Sequence, residues 1–582
     1  MEPGSLNEVP RFDRDFSEAG AVVSRVGSGL LGGKASGLRL IHDRIVPRLD
    51  GAELDGFAVT VPTFTVLATD LYDAFIERNR LGGLATAGLP DDRIANAFQR
   101  AELPAELVGD LRALIARLHR PIAVRSSSLL EDQLDHPFAG VYATKMIPNN
   151  EIEEDARFRR LTEAVKLVYA STLFASARDY RRSIAIDVGA ESMAVVIQEV
   201  VGQRAGDRFY PCISGVARSF NFYPTGSAAP TEGVVYLALG LGKTIVDGGL
   251  SWSFSPLSPA APPPFNNTAE LLKNTQTTFW AVHMGDPPLP DPIRETECLV
   301  RCSLAEAEAD GALKFLASSY DPGSDRLYPG LSGRGPRALT FAPLLGSRFV
   351  RFSDLIARLL ELCRAELDSH VEIEFAVRLD RADVVPARFC ILQVRPMRVG
   401  DGDTRVAEEE LARDGVVVAS THALGNGHRE DLVDIVYVRP EAFRAATARA
   451  TVAELEAINR HLVEQGRSYV LIGLGRWGTS DERMGVPVTW AQISGARVIV
   501  EARTTAVDTD LSQGSHFFHN LLGSQVLYLE VEQRSPDRLD WSWLDRQPAV
   551  TESALVRHIR SLTPLVVRVD GANRRGVIAN DD

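Results

Sequence analysis

The chain has 582 residues, of which 45% are hydrophobic and 24% charged, as in an ordinary water-soluble globular protein. Its formal net charge of −14 argues against a general binder of nucleic acids or anionic membranes. No apolar run reaches the ~18 residues of a membrane span, and the N-terminus lacks the pattern of a signal peptide. The length predicts roughly three or four domains. Five cysteines without metal-site spacing predict reduced thiols in a cytoplasmic protein.

The first predicted elements follow a glycine-rich segment. Residues 29–41 begin with glycines and continue with apolar residues at helical spacing, which predicts a loop leading into a helix that contains Lys34. A strand is predicted at residues 57–61 and a helix at 65–80. Residues 121–124 indicate a buried strand, and residues 152–182 a single amphipathic helix.

The middle of the chain alternates strands and loops. Strands are predicted at residues 193–201 and 234–239, and two proline-rich stretches flank a helical piece at 269–280 in a surface excursion over 255–295. Further on, Glu374 and Gln393 lie in two strands that alternate polar and apolar residues. We expect these strands to pair, with both side chains on one face.

Residues 400–403 and the charged run after them mark a domain boundary. The remaining residues, 401–582, alternate strands with helical stretches, which predicts an α/β domain. The predicted strands of this domain are at 435–438, 469–472, 497–500 and 526–531.

The segment from Arg125 through three serines to Glu131 and Asp132 carries the most chemical information. A guanidinium is a planar fork of five donors that suits phosphate oxygens. The hydroxyls and backbone N–H groups that follow could close around the same anion. A surface arginine in a serine-rich turn would have the same sequence, so the segment alone leaves both interpretations open.

From about residue 29 to 397, ordered blocks of the chain resemble the nucleotide-binding domain of the phosphoenolpyruvate synthase and pyruvate, phosphate dikinase family. These blocks are Gly-Gly-Lys at 32–34, Arg-Ser-Ser with Glu-Asp and Phe-Ala-Gly at 125–140, a long helix over 165–181, strands at 193–198 and 214–217, Glu-Ile-Glu at 372–374 and Leu-Gln-Val-Arg-Pro at 392–396.

The resemblance implies an α/β (α+β) fold, with an ATP-grasp-type nucleotide-binding domain in two lobes and a C-terminal α/β domain. The implied boundaries are 1–120 for the N-terminal ATP-grasp subdomain, 121–400 for the remainder of the nucleotide-binding domain, and 401–582 for a last domain of unknown role.

The resemblance also implies ATP and Mg²⁺ as ligands. Lys34 and Arg125 would hold ATP phosphates, one as a point charge and one as a fork. Glu374 and Gln393 would present oxygens to Mg²⁺, and Arg395 would contact the terminal phosphates and stabilise charge during transfer. The set of implied nucleotide-binding residues is completed by Ser126 and by Gln198, the latter near the adenine or ribose.

Two departures from the family limit this inference. Where the family has Gly-Leu-Gly-Glu, this chain has Lys243 after Gly242. Residues 239–244 also mimic a P-loop, but Leu237 stands where its first glycine belongs, and we expect no suitable helix after Lys243. The family's synthases add a swivelling phosphohistidine domain and a pyruvate-binding barrel of ~250 residues, for which residues 401–582 are too few.

The last domain contains three polar clusters, and two of them lie before residue 480. Residues 422–428 predict a turn. Residues 473–478 satisfy G-x-G-x-x-G after a strand, and Glu501 closes a later strand where a ribose-binding acid would lie. Because Gly485 and Pro487 interrupt the expected helix, a phosphate loop that uses Arg476 is favoured over a dinucleotide site.

The third cluster contains His516, which is predicted at a helix N-terminus beneath a Gly-Ser turn. This local setting is similar to that of the family's phosphohistidine, and a helix N-terminus favours a phosphorylated imidazole. His516 is therefore the candidate phosphoryl acceptor, and a capped helix with a packed histidine is the alternative. His519 lies one turn on, but two histidines without a third ligand do not make a zinc site.

Together these observations predict a cytoplasmic ATP-binding phosphotransferase of the phosphoenolpyruvate synthase type. It would move a phosphoryl group from Mg·ATP to an unidentified acceptor, either a small substrate or a partner protein, with no nucleic-acid or membrane partner. The alternatives are a non-catalytic ATP-sensing protein and an ATP-grasp ligase.

Overall fold

The protein is described from a computed structural model. Residues 9–14, 22–49, 56–85, 87–131, 140–183, 191–221, 228–259, 268–333, 335–346, 351–379, 387–397, 399, 404–442, 444–479, 485–503, 521, 526–532, 534–571 and 573–580 are described. Among them the chain divides into two compact units. Unit 1 comprises the described residues of 1–245 and 250–396, and unit 2 those of 246–249 and 397–582. Helices and strands occur in both units, which confirms the predicted α/β class.

Unit 1 combines strands and helices. Its described strands are β1 (Val23–Val26), β2 (Phe57–Thr60), β3 (Phe64–Leu67), β4 (Ile122–Ser128), β5 (Thr144–Ile147), β6 (Met193–Glu199), β7 (Gln203–Ala205), β8 (Arg208–Tyr210), β9 (Ile213–Arg218), β10 (Val234–Ala238), β11 (Trp252–Phe254), β12 (Thr278–His283), β13 (Leu299–Ser303), β14 (Ala317–Asp321), β15 (Arg326–Pro329), β16 (Arg337–Leu339), β17 (His370–Arg378) and β18 (Ala387–Met397).

Helices of unit 1 fill the connections between these strands. Those in the described residues are α1 (Gly32–Leu40), α2 (Val46–Leu49), α3 (Thr69–Asn79), α4 (Asp91–Arg100), α5 (Ala105–Arg117), α6 (Glu154–Ser171), α7 (Ala175–Ser183), α8 (Lys243–Val246), α9 (Thr268–Lys273), α10 (Leu304–Ala309), α11 (Ala342–Leu345) and α12 (Phe352–Leu367). No helix in the described parts of the chain is long and apolar enough to cross a bilayer.

Two sheets of unit 1 carry the candidate site. The first has the described strand order β1-β3-β6-β4-β5, and the second the order β11-β10-β9-β17-β18-β2. In the first sheet, β6 reads Met-Ala-Val-Val-Ile, the continuous apolar run expected of a strand that is covered on both faces. The predicted pairing of the two alternating segments is confirmed, because β17 and β18 are neighbours in the second sheet.

Aromatic side chains fix the inner face of the second sheet. Phe375 on β17 and Phe389 on β18 stack with ring centroids 4.6 Å apart, and Phe352 of α12 packs against both. Gly215 on β9 makes room for this cluster, because a Cβ there would lie 2.1 Å from the Phe375 ring. All three rings are buried in the main core of unit 1.

Several predicted helices are shorter than expected. The single helix predicted over 152–182 is two helices, α6 and α7, because the Ser171 and Thr172 hydroxyls donate to carbonyls three residues back and the backbone tightens there. The helix predicted at 65–80 begins only at Thr69, after β3, whose Phe-Thr-Val-Leu sequence favours a strand. The helix predicted at 269–280 ends at Lys273, and β12 follows.

Unit 2 contains one large mixed sheet. Its described strands are β19 (Val416–Ser420), β20 (His422–Leu424), β21 (Asn426–Val438), β22 (Tyr469–Leu474), β23 (Arg476–Trp477), β24 (Gly485–Val486), β25 (Ala496–Ala502), β26 (Leu527–Val531), β27 (Arg538–Leu539), β28 (Ala549–Glu552), β29 (Val556–Asp570) and β30 (Arg575–Ala579). Its described helices are α13 (Ala448–Glu464) and α14 (Trp541–Arg546).

The sheet of unit 2 has a parallel part and an antiparallel part. Strands β21, β22, β25 and β26 run parallel, and α13 connects the first two. Strands β29, β30 and β19 extend the sheet on the other side of β21 in antiparallel order. One face of this sheet packs on an apolar core of valine, isoleucine and leucine side chains from both parts.

Candidate functional site

Arg125 on β4 joins the two sheets of unit 1 that carry the candidate site, the five-stranded and the six-stranded one. Its Nη1 donates to the backbone oxygen of Leu392 at 2.9 Å, and its Nη2 donates to Gln393 Oε1 at 3.0 Å. Weaker contacts of 3.4 Å reach Glu374 Oε2 and Gln198 Oε1. The structure therefore brings four of the predicted site residues to one place, around a single guanidinium between the sheets.

A change in side-chain alternation along β18 makes this arrangement possible. Phe389 and Ile391 belong to the core, and so does Val394, so the two-residue period shifts by one between Ile391 and Val394. Such a shift is typical of a β-bulge. Its result is that Gln393 and Arg395 leave the core side and face the charged groups of the site.

Two buried polar atoms beside Arg125 lack hydrogen-bond partners among the described residues. They are Nε2 of Gln198, a donor, and Oε1 of Glu374, an acceptor. A buried polar atom without a partner costs roughly 1–3 kcal/mol, so such atoms are uncommon unless a ligand or an ordered water completes them. A donor and an acceptor left open around one arginine are therefore typical of a ligand-binding site.

Arg395 lies in a buried group of charges on three adjacent strands. Its Nε donates to Glu372 Oε1 at 2.9 Å, and its Nη2 contacts the same oxygen. The other carboxylate oxygen of Glu372 accepts a hydrogen bond of 2.6 Å from Nε of Arg218 on β9. The three side chains are 1–3% exposed.

Lys34 lies in a different group. Its Nζ donates to Ser126 Oγ at 3.2 Å and forms an ion pair with Glu131. Because neighbouring side chains of a strand point to opposite faces, Ser126 and Arg125 lie on different sides of β4. The structure therefore places Lys34 with Ser126 and Glu131, and it places Arg125 with Gln393 and Glu374.

Close approach of α1 to β4 positions Lys34. Gly32 has a φ of +75°, and a Cβ at this residue would lie 1.7 Å from the backbone oxygen of Ser127. Only glycine permits this conformation and contact without strain. Ser127 also stabilises the start of α1, because its Oγ donates to Leu31 O at 2.9 Å and accepts from Ala35 N at 3.1 Å.

The three serines after Arg125 differ from the expected anion-binding loop. They belong to β4, they are fully buried, and their hydroxyls are already engaged. Ser126 Oγ donates to Glu131 Oε1 at 2.8 Å, and Ser128 Oγ contacts Glu191. In this structure the serines therefore connect β4 to its surroundings, and Arg125 carries the anion-binding potential of the segment.

Glu191 is the centre of a buried network at the end of β4. Besides Ser128, it contacts the hydroxyl of Tyr142, and it pairs with Nη1 of Arg181 at 2.6 Å. Burial raises the pKa of the Glu191 carboxyl, although its hydrogen bonds and Arg181 act in the opposite direction. The network anchors the strand that carries Arg125.

The sequence analysis gave no individual role to Arg218, Glu372 or Glu131, which contact the predicted site residues Arg395 and Lys34 directly or through one another. For Arg218 a signal is present, because a charged residue ends an otherwise small and apolar strand, Ile-Ser-Gly-Val-Ala-Arg. The P-loop interpretation of residues 239–244 stays rejected on its missing glycine. A helix, α8, does begin at Lys243, but its four residues are too short for the helix that follows a P-loop.

Unit 2 brings further predicted residues together at the carboxyl ends of its parallel strands. Glu501 on β25 is directly opposite Glu530 on β26. Glu501 accepts from the backbone N–H of Trp477 at 3.4 Å and contacts the Tyr528 hydroxyl. Burial raises the pKa of the Glu530 carboxyl well above its ordinary value, although Arg503 beside it acts in the opposite direction.

The remaining predictions in unit 2 have mixed outcomes. Arg476 is buried, and its Nη1 donates to the backbone oxygen of Gly248 at 3.2 Å. The turn predicted within residues 422–428 is centred on Gly425, with a φ of +84°, between β20 and β21. Both His516 and His519 lie outside the described residues, so the proposed acceptor stays a prediction.

Comparison with known proteins gives a match that lies mainly in unit 1. Residues 28–415 match the protein family described as pyruvate phosphate dikinase, AMP/ATP-binding domain. The chain is also similar to a phosphoenolpyruvate synthase of Aeropyrum pernix, with 28% identity over 240 residues, which cover 38% of this chain and 26% of that protein. The matched part thus spans about a quarter of that synthase. Since the family match covers well over half of the sequence, the chain belongs to the pyruvate phosphate dikinase AMP/ATP-binding domain family.

Proposed function

We propose that unit 1 binds Mg·ATP between the five-stranded and the six-stranded sheet and that the protein is an ATP-dependent phosphotransferase. The observation that carries the proposal is the Arg125 bridge, with an open donor on Gln198 and an open acceptor on Glu374 beside it. Family membership supports the nucleotide, and the similarity to a phosphoenolpyruvate synthase supports the reaction type.

The residues of the site fit the proposed ligand. Arginine and lysine suit phosphate oxygens in different ways, Arg125 and Arg395 as planar forks and Lys34 as a point charge. Arg125 and Arg395 each already contact oxygen acceptors on the second sheet, so a phosphate would replace or extend existing oxygen contacts. Gln198, with its open N–H, would donate to the sugar or base of the nucleotide.

The oxygens of Glu374 and Gln393 fit Mg²⁺. Both are hard oxygen ligands of the kind that Mg²⁺ takes from proteins, and Oε1 of Glu374 has no hydrogen-bond partner among the described residues. Nη2 of Arg125 contacts an oxygen of each side chain, so this position already accepts positive charge. When bound, the ion would neutralise phosphate charge as the phosphoryl group leaves.

The chain's own residues would then act by position and charge. Arg125 and Arg395 would fix the terminal phosphates and oppose the charge that develops in transfer. The two sheets would exclude water, which directs the phosphoryl group to the acceptor rather than to hydrolysis. We propose His516 as the acceptor on the local sequence argument alone.

Product analysis with labelled ATP tests the function. The full chain is incubated with Mg²⁺ and ATP labelled at the β or γ position, and nucleotides and acid-labile label on the protein are followed. AMP with phosphate indicates dikinase chemistry, and ADP with a ligated product indicates a ligase. Unchanged ATP that binds indicates a sensor, and ATP that does not bind contradicts the proposal.

A pair of variants makes the test specific. Arg125→Met should abolish turnover, whereas Arg112→Met, which removes an exposed arginine paired with Asp155, should leave it unchanged. His516→Asn tests the acceptor separately, because phosphoenzyme that still forms in this variant would eliminate that role.

A further inference from the structure

The buried group around Glu372 contains an arginine to which the proposed function gives no role. Arg218, Glu372 and Arg395 lie on the neighbouring strands β9, β17 and β18. Arg218 is directly opposite Glu372 in the antiparallel register. The glutamate lies between the two arginines and accepts from Nε of each, one on each carboxylate oxygen.

Burying three charged side chains together costs folding free energy, so the arrangement calls for a role in positioning neighbouring groups. Moving a charged side chain out of water costs several kcal/mol, and packed hydrophobic residues of similar size would often be as stable. Here the buried cluster borders an apolar patch on the same face of the sheet. Beside Arg218 lie Val216, Val234 and Tyr236, and the Arg218 guanidinium carbon is 5.5 Å from the centre of the Tyr236 ring.

The contacts indicate what each member holds. Glu372 binds Arg395 along one edge, through Nε and Nη2, which fixes the plane of that guanidinium. Nε of Arg218 donates to the second carboxylate oxygen of Glu372 at 2.6 Å, so the orientation of Glu372 in turn depends on Arg218. Without Arg218, the second carboxylate oxygen would lose this hydrogen bond, and the carboxylate would be freer to rotate about its side-chain torsions.

We propose that Arg218 is a positioning residue for the nucleotide site. It acts through Glu372, and it sets the orientation in which Arg395 meets the terminal phosphates of ATP. This inference rests on the proposed function. It assigns to Arg218 no direct contact with the nucleotide.

The test compares ATP with AMP. Binding of each to the full chain is measured by calorimetry with Mg²⁺ for wild type, Arg218→Met and Arg218→Lys. Because AMP lacks the terminal phosphates, we expect Arg218→Met to weaken ATP binding about 10- to 100-fold and AMP binding by less than about threefold, as for other supporting residues. Arg218→Lys, which retains a cation, should recover part of the ATP affinity.

A matched control separates positioning from general destabilisation. Arg157→Met removes another buried arginine of unit 1, which donates to the backbone oxygens of Ile115 and Leu118 at 2.9 Å. This variant should leave the ratio of ATP to AMP affinity unchanged. An unchanged ratio in Arg218→Met, or an equal change in both variants, would overturn the proposal.

Arg218→Met leaves the buried Glu372 with one cation fewer, so a double variant with Glu372→Gln provides a second test in case the single variant does not fold. In the Glu372→Gln background, Arg218→Met should cause no further loss of ATP affinity, because its effect passes through Glu372. A further loss of the same size would mean that Arg218 acts directly, and would overturn the inference. If wild type binds neither nucleotide, the proposed function fails first and the inference with it.

Discussion

Arg125→Met is the substitution that most directly probes the link between the five-stranded and the six-stranded sheet of unit 1. Methionine keeps an unbranched stem of similar length and removes the guanidinium. Two charge-assisted hydrogen bonds are lost, those of 2.9 Å to Leu392 O and 3.0 Å to Gln393 Oε1. The two contacts at 3.4 Å contribute little.

The expected magnitude follows from those two bonds. Hydrogen bonds to charged groups contribute roughly 1.5–3 kcal/mol each. The Arg125 side chain is 13% exposed, so solvent screens the interaction only in part. The ordering of a long side chain offsets roughly 1–2 kcal/mol. We therefore expect the free energy of unfolding of unit 1 to fall by about 3 kcal/mol.

Urea unfolding followed by hydrogen–deuterium exchange measures this change unit by unit. Peptides from β4 and β18 should lose protection at lower urea than in wild type, while peptides from unit 2 should not change. Arg112→Met is the control, because its pair with Asp155 is exposed and should contribute less than about 1 kcal/mol. Equal losses in the two variants would refute the bridging role of Arg125.

Three further substitutions test other features of the structure. Gly215→Ala should destabilise unit 1 by about 1–3 kcal/mol in thermal unfolding, because its Cβ would overlap the Phe375 ring, and wild-type stability would contradict the packing. Asp434→Asn should cost about 3 kcal/mol at pH 7, since it leaves His558 without its buried carboxylate. Burial opposes ionisation of Asp434, but His558, Arg560 and Arg467 outweigh it and hold the pKa of Asp434 below its ordinary value. The stability that the ionised Asp434 contributes should therefore vanish as the pH falls below about 4. Glu530→Gln should raise the Tm of unit 2 increasingly as the pH rises above about 4.3, the ordinary pKa of a glutamate, because a raised folded-state pKa makes the wild type lose stability as the pH rises. A Tm difference independent of pH would contradict the buried carboxyl.

Local sequence patterns predicted the strands of the site well. The apolar run of β6 and the alternation of β17 identify buried strands from the residues alone. The pairing of β17 with β18 also followed from their patterns, and it placed Glu374 beside Gln393. These features depend on neighbours along the chain, which a sequence displays directly.

Long-range contacts account for what was not predicted. No local pattern shows that Ser126 would meet Lys34, 92 residues away, or that Arg218 would meet Glu372, which is 154 residues away. The break between α6 and α7 depends on hydroxyls that compete with the helix, and helix propensity summed over a window does not register it. The strands that carry the candidate site were thus predicted, whereas the supporting contacts around it were not.

The shift in alternation along β18 has a consequence for how this chain tolerates change. The first half of the strand, with Phe389 and Ile391, serves the core, and the second half, with Gln393 and Arg395, serves the site. Deleting one residue between them would restore a regular alternation, but it would move both polar side chains by about 3.3 Å along the strand, away from their partners on β4 and β17. The chemistry of the site therefore depends on the number of residues in this strand as much as on their identity, so insertions and deletions here should be less tolerated than substitutions.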